Sequence, residues 1–103
     1  MLIKTFDVVV PAQGARSTPL NLNGLVDRQF SFKVSNPADK IVVEASQRDP
    51  DDAAGWQTLD DTLADGPTFP LANGWLWVRL YGQVVTTPAN CACTLAGFDS
   101  RTV

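Results

Sequence analysis

Hydrophobic and polar residues alternate along most of this chain, and a period of two is the pattern of a β-strand with one buried face. The clearest example is residues 28–34, where Phe30, Phe32 and Val34 face one side and polar residues face the other. The same pattern or β-branched composition predicts further strands at residues 2–10, 40–47, 56–59, 68–71, 75–81 and 91–98, with short extended pieces near Leu20 and Val84.

Turn residues separate these segments at regular intervals. Asn23-Gly24 and Asn73-Gly74 are typical hairpin signals, and Pro11 and Pro88 end extended segments because proline lacks a ladder donor. Seven or eight short strands with this spacing predict an antiparallel β-sandwich or a jelly-roll-like barrel. The segment after Trp56 is ambiguous, because Trp56, Leu59 and Leu63 also have the spacing of one or two helical turns.

The alternation also predicts which side chains form the core. Inward positions of the strands carry large apolar residues, and burying each contributes about 1.5–3 kcal/mol. The chain has 103 residues, which fits one domain over residues 1–103, since single cores usually run about 100–150 residues. The predicted core consists of Phe6, Val8, Phe30, Phe32, Ile41, Val43, Leu76, Val78, Leu80 and Leu95.

Composition and charge disfavour several classes of function. The formal net charge is -3, whereas a nucleic-acid binder normally has a basic face. The absence of histidine removes the commonest general base, and no Gly-rich phosphate loop is present. We therefore expect a protein that is not an enzyme, has no cofactor and does not bind nucleic acid. The first residues lack the charged and long apolar segments of a signal peptide, and no apolar run is long enough to span a bilayer, which predicts folding in a cytoplasm without a membrane partner.

The only two cysteines, Cys91 and Cys93, are spaced so that both point to one face of a strand. A redox pair and half of a metal site are two interpretations. We favour two small buried apolar side chains, because a Cys-x-Cys pair without histidine offers too few ligands for zinc.

Aspartates are concentrated between residues 49 and 65. Oxygen ligands on a loop can hold Ca²⁺, but this spacing does not match an EF-hand. We therefore expect a solvated loop that caps turns, and no metal site. The aspartates are Asp49, Asp51, Asp52, Asp60, Asp61 and Asp65.

A concentration of large side chains at residues 75–81 is the main candidate for binding. If Leu76, Val78 and Leu80 are core, the opposite face carries Trp75, Trp77, Arg79 and Tyr81. Tryptophan, tyrosine and arginine are the residues that dominate protein interfaces, so these four are the predicted partner-binding residues. Two alternatives stay open: the rings stack on sugar, or both faces are covered and Arg79 stacks on a ring.

Three segments together carry a family resemblance. They are residues 41–46, which end in serine, residues 55–59 with a Trp-x-x-Leu pattern, and residues 75–80, which end in an aromatic-Val-Arg-Leu pattern. This arrangement resembles small β-sandwich structural proteins of tailed bacteriophages, including capsid decoration and head or tail accessory proteins. The Cys-Ala-Cys sequence near the end departs from that pattern.

The resemblance implies a virion structural protein made in the host cytoplasm. Its partner would be the major capsid protein or another virion protein, and the chain would form a homo-oligomer. The expected function is that of a capsid decoration or stabilising subunit, which binds a shell lattice through the aromatic patch and strand edges, with the termini as clamps. The alternative is a carbohydrate-binding module of a fibre or adhesin, in which Trp75 and Trp77 stack on sugar.

Overall fold

The computed structural model describes residues 2–34, 36–60 and 68–99, and in this part of the chain the fold is an antiparallel β-sandwich. Two four-stranded sheets have the orders β1-β8-β3-β6 (the first sheet) and β2-β7-β4-β5 (the second sheet). The predicted all-β class and the upper strand number are confirmed. The strands are β1 (Leu2–Val8), β2 (Leu20–Asn21), β3 (Leu25–Lys33), β4 (Lys40–Ser46), β5 (Gln57–Asp60), β6 (Thr68–Leu71), β7 (Trp77–Val84) and β8 (Ala92–Asp99).

The core lies between the sheets and is built from the inward positions of the strands. Of the predicted core residues, seven are buried, and Phe6 and Val8 are half-buried and pack against the others. The buried seven are Phe30, Phe32, Ile41, Val43, Val78, Leu80 and Leu95. The buried hydrophobic residues outside the predicted core are Val10, Leu22, Leu25, Val42, Ala45, Leu71 and Val85. Cys93 is buried, as expected from the interpretation of the cysteines as small buried side chains.

The prediction that Leu76 belongs to the core is wrong, because its side chain is 44% exposed. Strand β7 begins at Trp77. Leu76 therefore lies before the strand, and the alternation of β7 does not apply to it. Its backbone lies between the end of β4 and the residue after β2: the Leu76 N–H donates to the Ser46 carbonyl, and the Leu76 carbonyl accepts from the Leu22 N–H.

The segment after Trp56 is extended, as the strand prediction had it. A short 3-10 turn at Ala53–Gly55 leads into β5, and the Asp52 side chain caps the turn by accepting from the Ala54 N–H. Leu63, which would have continued a helical pattern, lies outside the described residues.

Strand β3 contains a bulge that brings a charged side chain into the interior. Val26 pairs with Phe98 and Gln29 pairs with Ala96, so two residues of β3 lie opposite Gly97 alone. The extra residue is Asp27, whose φ of 52° is in the left-handed region. Between the bulge and the end of β3 the alternation is regular, so Arg28 points to the same side of the sheet as Phe30 and is buried.

Candidate functional site

The outer face of the second sheet brings together three of the four predicted partner-binding residues. Trp77, Arg79 and Tyr81 alternate along β7 with the buried Val78 and Leu80, and each of the three is half-buried. They therefore lie on one face, as predicted.

Trp75, the fourth predicted residue, is in a different environment. It precedes β7, packs against the core cluster, and accepts a hydrogen bond from Arg28 on its carbonyl. Of the two tryptophans in the sugar-binding alternative, only Trp77 therefore lies on the outer face of β7.

Arg79 is fixed from two sides. Because β4 and β7 are paired so that Glu44 lies opposite Arg79, the Arg79 Nε donates to Glu44 Oε1 at 2.8 Å. The guanidinium also lies over the Trp56 ring, 4.0 Å from its centroid. The Trp56 indole is itself oriented by its Nε1, which donates to the Pro50 carbonyl. Arg79 thus stacks on a ring, as the covered-face alternative had it.

Arg16 reaches the same carboxylate from the edge of the sheet. Residues 14–21 run along β7: the Gly14 N–H donates to the Gly82 carbonyl at 2.7 Å, and the Ser17 N–H donates to the Leu80 carbonyl at 2.8 Å. This places Arg16 opposite Tyr81. Its Nε donates to Glu44 Oε1 at 3.0 Å, and its guanidinium lies 4.6 Å from the centre of the Tyr81 ring.

We call Arg16, Glu44 and Arg79, with the rings of Trp56, Trp77 and Tyr81, the arginine–aromatic face. Arg16 is not among the predicted binding residues, because residues 12–19 are predicted as a loop. Only the tertiary pairing of this segment with β7 brings Arg16 to the face. Glu44 carried a signal, because the alternation of β4 places it on the outer side of the sheet. Cation–π contacts and charge-assisted hydrogen bonds hold the face together.

The aspartates of residues 49–52 act mainly within their own loop. Asp49 Oδ1 accepts from the Asp51 N–H, and Asp52 caps the following 3-10 turn and pairs with Arg48 at 3.5 Å. Within the described ranges, no group of three or more histidine, cysteine, aspartate or glutamate residues could hold a metal ion. Asp61, Asp65 and the side chain of Asp60 lie outside the described structure.

The two cysteines are free thiols at the start of β8, on its core-facing side. Cys93 is buried in the core, and Cys91, one residue before the strand, is half-buried and packs against the core. Burial raises the pKa of Cys93 to about 12, because the apolar surroundings disfavour the thiolate.

We expect Cys91, and not Cys93, to be alkylated by iodoacetamide in the folded protein at pH 8. The thiolate is the reactive form, and at this pH Cys93 stays protonated and inaccessible. Peptide mass spectrometry after a timed reaction measures the two sites separately, and the same reaction in urea is the control in which both are modified. Equal rates at the two sites in the folded protein would contradict the prediction.

Strand β1 forms one edge of the first sheet. It pairs with β8 along its seven residues and contains no proline. Its outward positions include Ile3, and Val9 follows the strand; these side chains are 71% and 79% exposed. Among the described residues, no strand pairs with the other side of β1.

A mostly apolar cleft of about 830 Å³ lies between β1 and the segment at the edge of the second sheet. Phe6 and Val8 line one wall, and Pro19 and Leu20 line the other. The remaining edges of the sandwich are less suited to pairing, because β5 and β6 have four residues each, β6 contains Pro70, and the segment along β7 contains Pro19.

In the described part of the chain, no helix has the length and apolar character needed to cross a membrane. Comparisons with protein-family models, with curated proteins and with solved structures found no match to this chain.

Proposed function

We propose that this domain is a non-enzymatic structural subunit of a virion, a capsid decoration or stabilising protein that docks on the shell lattice. The observation that carries the proposal is the edge of β1. A row of backbone N–H and C=O groups on an exposed, proline-free edge is a template for a strand of a neighbouring protein. The resemblance to small β-sandwich proteins of tailed bacteriophages supplies the class of assembly.

The side chains next to this edge favour docking over solvation. Natural sheet edges are commonly protected by charge or proline. Strand β1 contains no proline, and of its two charged residues Lys4 is paired with Asp99 while Asp7 is exposed. Two exposed aliphatic side chains, Ile3 and Val9, also flank the edge. The cleft beside β1 extends the apolar surface. A neighbouring strand would gain backbone hydrogen bonds from the edge and apolar burial from Ile3, Val9 and the cleft.

A lattice makes such contacts effective even when each is weak. Each copy of a shell subunit binds a repeating surface, and contacts to several neighbours raise the overall affinity through multivalency. Association of the domain with itself would act in the same direction.

The test is co-sedimentation of the chain with intact virions from its source on a density gradient, with quantification by mass spectrometry. We expect a fixed copy ratio to a major shell protein. The double variant Ile3→Lys and Val9→Lys should reduce the bound fraction at least about tenfold, because charge on a strand edge blocks pairing.

Leu76→Lys is the control for the chemistry of the substitution, since it places one lysine on another exposed aliphatic residue, away from β1. It should bind like the unmodified chain. The proposal is overturned if the chain is absent from the particles, or if the double variant binds as well as the control.

A further inference from the structure

The arginine–aromatic face carries more positive than negative charge, although the chain as a whole has a net charge of -3. Arg16 and Arg79 both donate through Nε to a single oxygen of Glu44. One carboxylate neutralises one guanidinium, so the cluster keeps a surplus of one positive charge.

The surplus is accessible to a binding partner. Both arginines use Nε for Glu44, and within the described residues neither has a hydrogen bond from its terminal amino groups to another side chain or carbonyl. The Arg16 side chain is 48% exposed and that of Arg79 is 18% exposed. A guanidinium whose Nε is occupied still offers donors on its amino groups, and these match the two oxygens of a carboxylate.

The two guanidiniums are also held in place before any partner binds. Each stacks on a ring, Arg16 on Tyr81 and Arg79 on Trp56. Glu44, which holds both Nε atoms, is itself buried. Little side-chain freedom then remains to be lost on binding, and this loss is a main cost of forming an interface.

We propose that the arginine–aromatic face is the docking surface for an acidic segment of a partner protein. An aspartate or glutamate of that segment would accept hydrogen bonds from the amino groups of Arg16 and Arg79, and its apolar neighbours would pack on Trp77 and Tyr81. This inference rests on the proposed role as a docking subunit and names the chemistry of the partner.

Charge decides between an acidic protein segment and other partners. A nucleic acid presents a row of phosphates and needs many basic contacts, whereas this face has a surplus of one charge in an acidic protein. A neutral sugar would leave the surplus charge without an opposite charge. A single protein carboxylate matches it.

The test is an NMR titration of the full, isotope-labelled chain with a blocked pentapeptide of alternating aspartate and glycine. We expect saturable shifts of the Nε–H signals of Arg16 and Arg79 and of the Trp77 indole N–H. Added salt should weaken the binding, because it screens partly exposed charges. The matching lysine–glycine peptide should cause no shifts at these positions.

Arg16→Gln is the test variant and Lys33→Gln is its matched control, since both remove one positive charge from an exposed residue. Arg16→Gln should raise the dissociation constant about tenfold, the effect expected from losing a charge-assisted hydrogen bond. Lys33→Gln should leave it within about twofold, because Lys33 lies on the first sheet, away from this face. Well-dispersed spectra check that both variants are folded.

Three results would overturn the inference: no shifts at Arg16 and Arg79, equal weakening by the two variants, or shifts of Trp77 with a neutral oligosaccharide and none with the acidic peptide. Strand β1 takes no part in this titration. A negative titration therefore rejects the acidic partner alone, whereas absence of the unmodified chain from virions in the sedimentation experiment rejects the proposed function.

Discussion

Replacing Arg28 with methionine is expected to lower the free energy of unfolding by about 3–5 kcal/mol, a large part of the stability of a domain of this size. Arg28 is 4% exposed. Its guanidinium donates to four backbone carbonyls, those of Leu22, Leu25, Ala72 and Trp75.

Arg28 thereby joins two turns at the same end of the sandwich. Methionine fills similar volume but supplies no donor, and each buried acceptor left unsatisfied costs about 1–3 kcal/mol. Burial lowers the pKa of Arg28, because desolvation disfavours its charged form, and relief of this desolvation offsets part of the loss. The loss of hydrogen bonds to the four carbonyls outweighs this relief, so the net effect of Arg28→Met is destabilisation.

Urea unfolding followed by tryptophan fluorescence measures this change, provided that the m-value stays constant. Arg48→Met is the matched control, because Arg48 is an exposed arginine whose ion pair with Asp52 has a distance of 3.5 Å. We expect less than about 1 kcal/mol there. Arg28→Lys should lie between the two, since one ammonium cannot reach all four acceptors. A loss at Arg28→Met no larger than that at Arg48→Met would mean that the four hydrogen bonds contribute nothing net.

Replacing Gly97 with valine is expected to destabilise the domain by about 1–3 kcal/mol, because part of the overpacking is against backbone that no side-chain movement can relieve. A Cβ atom at Gly97 would lie 2.8 Å from Leu25 Cγ and 2.9 Å from the Val26 carbonyl oxygen. The latter is backbone on the strand that bulges opposite Gly97. The substitution would have to displace β3 or open the pairing between β3 and β8.

Ala96→Val is the control for Gly97→Val. Ala96 is the neighbouring residue in β8 and is half-exposed on the outer face of the first sheet, so a larger side chain has space there. Thermal unfolding should show a clear decrease in Tm for Gly97→Val and a small change for Ala96→Val. Comparable Tm values for the two variants would show that β3 moves aside at little cost.

Much of the fold could be predicted from the sequence. Because most strands have one buried face, hydrophobic and polar residues alternate along them with a period of two. The alternation placed Phe30, Phe32, Val78 and Leu80 correctly. It failed at Leu76, which precedes the first residue of β7 and is exposed, because the point at which a strand begins leaves no trace in hydrophobicity. Arg28 points to the same side of β3 as Phe30. It is absent from the predicted core because a charged residue is not expected to be buried there.

The arginine–aromatic face could be predicted only in part. The residues on β7 follow from alternation, and Glu44 follows from the alternation of β4. Arg16 comes from a segment whose extended structure depends on pairing with β7, and Trp56 is oriented by a hydrogen bond to Pro50 across a loop. Such contacts between distant parts of the chain have no local signal.

The position of β8 has a consequence for the order of folding. Strand β8 lies between β1 and β3 in the first sheet, although it is the last described strand in the chain. During synthesis, β1 therefore has no described neighbour until residues 92–99 have left the ribosome. Pairing of strands so far apart in sequence also carries a large loop-closure entropy and is typical of slow folding. Until β8 is synthesised, the nascent chain thus has no described strand on either edge of β1, and it is during this period that β1 is most at risk of pairing with the wrong strand.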